Sequence, residues 1–138
     1  MLSGREMTSL LPDHLFADPI RAALRTTHRH LALGDALAGR YPADIAPFGT
    51  LAEPTAVAMD RLRSLLAPGE YIWLFGSDFP AVPGLAIADQ MACLQMALPD
   101  HVAPPRLEAP VSELSEADAY EMVALTDLAF PGFFRRRT

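Results

Sequence analysis

Apolar residues recur at helical spacing in three places along the chain. In DPIRAALRTTHRHLAL, Ile20, Leu24, Thr27 and Leu31 fall on one side of a helix. Asp18 is placed to cap it, and Pro19 suits a first helical position, where the missing N–H costs nothing. Gly34 or Gly39 is expected to end it. In EPTAVAMDRLRSLLAPG, Pro54 opens a second helix, Met59, Leu62, Leu65 and Leu66 share one side, and Pro68-Gly69 stops it. The third helix, SEADAYEMVALTDLAF, has the strongest start signal. Ser115 caps, Asp118 lies three residues on, and acids crowd the first two turns. Ala119, Met122, Val123, Thr126 and Phe130 form its inner side, and Pro131-Gly132 ends it.

Between the helices the pattern changes. EYIWLFG, with its β-branched and aromatic content, predicts a buried strand ended by Gly76. CLQMAL (93–98) and RLEAPVSEL predict two more. GRYPADIAPFGTLAEP is broken by Pro42, Pro47 and Gly49, so it reads as an ordered irregular segment whose Tyr41, Ile45 and Phe48 are pinned into the core. PDHVAPP is a connector and a boundary, separating residues 1–104 from 105–138. The order helix, helix, strand, strand, then strand, helix implies an α/β fold with a mixed sheet.

Composition narrows the function. At 138 residues with half of them apolar, the chain is long enough to bury a real core and too apolar to be disordered throughout. Eleven arginines stand beside no lysine and no asparagine. That bias points to GC-rich coding and a bacterial source, and it excludes a Schiff-base or P-loop lysine. The net charge is −6, and from Leu107 to Phe134 there are six acids and no basic residue. A nucleic-acid partner is therefore not expected. No apolar run is long and uninterrupted enough for a signal-peptide core or a membrane span, so the expected location is cytoplasmic, with no membrane partner.

Candidate chemistry is sparse. The four histidines offer no metal site: His28 and His30, if helical, point about 200° apart, while His14 and His101 have no partner at a fixed spacing. The lone Cys93 lies in an apolar run, which predicts a buried, inert thiol. No second glycine completes a nucleophile elbow around Ser77. The acids of the 115–130 helix read as a complement to its dipole and as solvated surface. Tyr71, Trp73, Phe75 and Phe79 offer an aromatic set for a small-molecule site. No two of the eight glycines are separated by a single residue, so no glycine-rich loop can wrap a pyrophosphate.

Several stretches together resemble the bacterial N-acetyltransferases of the GNAT superfamily: DPIRAALRTTHRHLA, GRYPADIAPFGTLAEP, LLAPGEYIWLF, CLQMAL and LSEADAYEMVALTDLAFPGFFRRRT. The likeness runs from about Leu15 to the last residue. It implies a degenerate GNAT-like amino-terminal region over 1–104, followed by the first strand and helix of a catalytic GNAT core over 105–138. The implied parent activity is acetyl transfer from acetyl-CoA to a small-molecule amine by direct attack. In that family the coenzyme A pyrophosphate sits on a Q/R-x-x-G-x-G/A turn, which this sequence lacks, so the chain is expected to stop inside the catalytic domain and to bind no cofactor alone. No catalytic residue is assigned. The resemblance does place the acceptor-side wall at Phe130, Phe133, Phe134 and Arg137. It also implies that the chain either meets its missing catalytic half, self-associates, or folds residues 107–138 back on its amino-terminal region. The alternative is a non-catalytic interaction or regulatory module derived from the same fold.

Overall fold

The computed structural model describes residues 17–96, 98, 101–104, 106 and 108–138. His14, the start of the resemblance at Leu15, the boundary residue Pro105 and the strand-opening Leu107 lie outside the described residues.

Helix α1 (Pro19–Arg25) begins as its sequence dictates: the Asp18 carboxylate accepts from the Arg21 amide at 2.8 Å, with Pro19 at the first position. It is shorter than its apolar spacing suggests. The chain turns at Thr26, and Arg29–Leu31 forms a single 3₁₀ turn. His28 and His30 therefore do not lie on the α-helix that the spacing implied.

Three short strands follow, β1 (Leu33–Gly34), β2 (Ala38–Arg40) and β3 (Gly49–Leu51), in an antiparallel sheet of that order. Leu33 pairs with Arg40, and Ala38, Gly39 and Arg40 pair with Leu51, Thr50 and Gly49. The β1–β2 turn is held by Asp35, whose carboxylate accepts from the Leu37 amide at 2.9 Å. It also requires glycine at 34, where φ is +118° and a Cβ would stand 2.2 Å from the Ala38 carbonyl oxygen. The sequence pattern concealed these strands because each is only two or three residues long, too short for alternation to register.

Helix α2 (Ala56–Arg63) is capped by Thr55, whose hydroxyl accepts from the Ala58 amide at 3.2 Å. It ends at Arg63, before the Pro68-Gly69 pair expected to stop it. Its buried side chains, Ala58, Met59 and Leu62, pack with Ala38, Leu51 and Val82 into one core cluster. Leu24 of α1 joins Tyr41, Ile45 and Ala46 in a second, with Phe48 partly buried beside it. Residues 41–48 are thus the ordered, core-pinned segment that their prolines and apolar residues predict.

Among the described residues none of the three predicted strands is formed. EYIWLFG pairs with the chain beside β3 only at Trp73, in a parallel bridge to Phe48, while Ile72 and Leu74 pack against the core cluster. There the Trp73 amide donates to the Pro47 carbonyl at 2.8 Å, and its carbonyl accepts from the Gly49 amide at 3.0 Å. The ladder goes no further along β3, where the Arg21 guanidinium takes the Leu51 carbonyl at 2.7 Å. Residues 91–96 and the described part of 106–114 hold no strand. A strand exists only by pairing, and β-propensity without a neighbouring edge does not make one. Among the described residues the architecture is mixed α/β, with a three-stranded antiparallel sheet and the helices Pro19–Arg25, Ala56–Arg63 and Ala119–Asp127, rather than a sheet extended by those segments.

Helix α3 (Ala119–Asp127) follows a 3₁₀ turn, Glu116–Asp118. The predicted capping box is present: the Asp118 carboxylate accepts from the Ser115 amide at 2.8 Å, and the Ser115 hydroxyl accepts from the Ala117 amide at 3.3 Å. Yet no residue of α3 is buried. Met122 and Phe130 of the predicted inner side are exposed. Among the described residues no helix is long and apolar enough to cross a membrane.

Candidate functional site

The segment that closes the chain docks on residues 41–48 and 71–75 through an aromatic cluster. Phe133 meets Phe48 edge-on at 5.4 Å between centroids and lies tilted against Trp73 at the same distance. Phe75 adjoins Phe48 at 6.1 Å, and Phe130 adjoins Phe133 at 6.1 Å. Such offset and edge contacts are the favoured geometry for aromatic rings. Polar contacts flank them. The Arg137 guanidinium pairs with Asp44 at 2.5 Å, and the Thr138 hydroxyl donates to the Ile45 carbonyl at 2.7 Å. Of the alternatives that the sequence raised, residues 130–138 do fold back on the amino-terminal region, while 108–117 remain exposed.

This fixes the position of each predicted acceptor-side residue. Phe133 is half-buried within the cluster, and Phe130 sits beside it with an exposed ring. Phe134 is also exposed. Arg137 is exposed and its charge is engaged by Asp44. In return the guanidinium holds the Asp44 carboxyl below its ordinary pKa, chiefly through their hydrogen bond. The structure brings Phe130 and Phe133 together; Arg137 is turned to Asp44. The indole Nε1 of Trp73 is buried in this region and has no hydrogen-bond partner among the described residues.

The aromatic set Tyr71, Trp73, Phe75 and Phe79 is divided. Trp73 and Phe75 belong to the cluster, Tyr71 is exposed, and Phe79 packs against the α2 core. They do not line one cavity. Ser77 donates to the neighbouring Asp78 carboxylate at 2.9 Å, a surface contact with no histidine in it. His28 Nδ1 lies 2.6 Å from the buried Tyr41 hydroxyl, and burial raises the Tyr41 pKa above its ordinary value. Among the described residues no three His, Cys, Asp or Glu side chains converge as a metal site would need.

Cys93 differs from its expectation. It is exposed rather than buried, because residues 91–96 form no strand and no layer covers them; Leu94 and Met96 beside it are 94% and 92% exposed. The apolar run alone could not reveal this, since burial requires a partner surface that local sequence does not specify.

A pyrophosphate cradle would need glycine amides gathered at a strand-to-helix junction. The described glycines with positive φ are Gly34, Gly69, Gly76, Gly84 and Gly132, each isolated in its own turn. Gly34 is closed off by the Ala38 carbonyl, and a Cβ at Gly76 would stand 3.1 Å from the Phe79 ring. These residues do not fit the phosphates of acetyl-CoA.

Compared with known proteins, the chain matches no family model, no curated protein and no solved structure.

Proposed function

We propose that this chain is the amino-terminal part of an acetyl-CoA-dependent N-acetyltransferase, contributing the acceptor-side surface while further polypeptide supplies the cofactor site. One observation carries the reading beyond the resemblance itself. Residues 24–82 hold all the buried apolar side chains among the described residues, whereas Ile87, Met91, Leu94, Met96, Val111 and Leu125 stand in solvent. A run of exposed apolar side chains of this extent marks surface that another element covers. In an acetyltransferase that element is the remainder of the catalytic sheet. Phe130, Phe133 and Phe134 then border the acceptor amine.

Two measurements test this. The DNA following the Thr138 codon is expected to encode a Q/R-x-x-G-x-G/A turn, in frame or shifted. Its absence over a domain's length in every frame refutes the parentage and leaves a non-catalytic interaction module, which the same exposed surface would serve. Isothermal titration of the 138-residue chain with acetyl-CoA is expected to show no micromolar binding. Micromolar binding would refute the assignment of the cofactor site to other polypeptide.

A further inference from the structure

Arginine's abundance reads as a coding bias, but it conceals a spacing. Arg21, Arg25 and Arg29 recur every four residues, and the structure sets all three along one groove. The groove has a volume of about 620 Å³ and runs between α1 with its 3₁₀ extension and the β1–β2 hairpin. That size lies within the usual range of small-molecule pockets, roughly 300–1,000 Å³. Its apolar lining includes Leu24, Leu33, Leu37 and Ala38, and Gly39 and Thr50 line it from the sheet. At Gly39 a Cβ would come no closer than 3.6 Å to Thr50 or to the Leu33 carbonyl, so glycine here leaves the groove deeper by one methyl.

The charges have few local partners. The chain carries 17 acidic residues, and Arg40, Arg61, Arg63 and Arg137 each hold a carboxylate. None of the three groove arginines does so among the described residues. Arg21 is half-buried and anchored by one hydrogen bond to the Leu51 carbonyl at 2.7 Å, which leaves most of its five N–H donors unused. The side chains of Arg25 and Arg29 have no hydrogen-bond or ion-pair partner among the described residues and are exposed. The one carboxylate on the rim, Asp35, is occupied elsewhere. Its Oδ2 takes Arg61 at 2.6 Å and its Oδ1 takes the Leu37 amide at 2.9 Å. Asp18, at the base of α1, is likewise engaged by the Arg21 amide and the Thr50 hydroxyl. The groove thus presents three guanidiniums against one carboxylate, over an apolar floor.

We propose that this groove binds a small molecule carrying a dianionic phosphate ester, with its organic body on the apolar floor. Guanidinium groups meet phosphate oxygens in paired, charge-assisted hydrogen bonds. A phosphate monoester, with its second pKa near 6, is a dianion at neutral pH and complements the excess of two positive charges. This site stands apart from the aromatic cluster and does not depend on the acetyltransferase reading.

Phenyl phosphate is a suitable probe, titrated calorimetrically into the full chain at low salt and pH 7.5. Saturable one-site binding is expected, weakening as salt rises and falling about tenfold or more in the Arg25→Gln/Arg29→Gln double variant. Both side chains are exposed, so the variant should melt as the wild type does. Arg136→Gln, which does not line the groove and contacts Tyr120 instead, should bind normally, and benzoate, a monoanion of similar shape, should bind more weakly. Equal binding by the double variant, or no binding of phenyl phosphate at millimolar concentration, would overturn the proposal. So would binding of a single-stranded oligonucleotide without any response to phenyl phosphate, which would assign the arginines to backbone phosphates of nucleic acid.

Discussion

The Arg40 guanidinium is buried against the Glu70 carboxylate, joining the central strand β2 to the turn that follows α2. Arg40 is 4% exposed. The same fork donates from Nη1 to the Leu65 carbonyl at 3.0 Å and from Nε to the Tyr41 carbonyl at 2.9 Å. A buried cation is tolerated because all three of its nitrogens are used. Glu70 is itself positioned, since its second oxygen accepts from the Ala67 amide at 2.9 Å.

Arg40→Met should destabilise the fold by about 3 kcal/mol, the cost of leaving one member of a buried pair without the other. Arg40→Lys keeps the charge but carries its donors on a single nitrogen, which cannot reach the three acceptors that the planar guanidinium meets, and should fall between wild type and Arg40→Met. Urea unfolding followed by circular dichroism measures both. A midpoint for Arg40→Met equal to that of the wild type would contradict the role assigned to this pair.

The same pair predicts an acid dependence. Glu70 is held below its ordinary pKa of 4.5, first by the hydrogen bond from Arg40. Below pH 4.5 the unfolded chain therefore takes up a proton at this group before the folded chain does. Its stabilisation is complete above that value and is lost as pH falls through the depressed folded pKa. Glu70→Gln should be less stable than wild type at pH 7, and the gap should narrow as the solution is acidified below pH 4.5. Asp35, Asp44 and Asp118 are also lowered, so the variant should keep a shallower acid transition. Parallel stability curves across that window would count against the assignment.

Leucine truncations should separate the closed core from the uncovered helix. Leu62 is 1% exposed at the centre of the α2 cluster, and Leu125 of α3 is 67% exposed. Leu62→Ala should cost about 3 kcal/mol, through lost transfer energy and the cavity left behind. Leu125→Ala should change stability by less than about 0.5 kcal/mol. A large cost at Leu125 would show that α3 is covered, for example by a second copy of the chain, and repeating the melt at several protein concentrations would reveal it.

The docking of the carboxy-terminal turn can be followed through the single tryptophan. Phe133 lies against Trp73, whose indole nitrogen is buried. Phe133→Ala should admit water to the indole, shift its emission to longer wavelength and speed amide exchange over residues 130–138. Asp44→Asn removes only a solvated ion pair and should leave the emission nearly unchanged. An unshifted spectrum for Phe133→Ala would mean that the turn does not cover Trp73.

Local signals in the sequence led correctly to the elements that are local in their physics. Asp18 and Ser115, the caps expected from sequence, sit at helix starts where a side-chain oxygen satisfies free amides, and that chemistry spans three residues; the second helix is capped by Thr55 and begins at Ala56, past the Pro54 expected to open it. The burial of Tyr41 and Ile45 was likewise legible, because apolar residues between prolines have no other shelter. The predicted strands at EYIWLFG, CLQMAL and RLEAPVSEL failed for the converse reason. Their composition suits a sheet, but a strand exists only by pairing, and among the described residues of these segments only Trp73 pairs, across from Phe48. Phe133 and Phe130 could be named from sequence as neighbours in a turn, whereas the rings that Phe133 meets, Phe48 and Trp73, lie more than fifty residues away.

The amino-acid order by itself determined where helices begin, which residues seek burial, and that no glycine-rich phosphate loop is present, since each follows from contacts within a few positions. Tertiary structure alone decided that Arg40 would find Glu70, that Cys93 would stay exposed, and that Arg21, Arg25 and Arg29 would share a groove with a distant hairpin. Those outcomes depend on which surfaces meet across long stretches of chain, and local propensity carries no record of that choice.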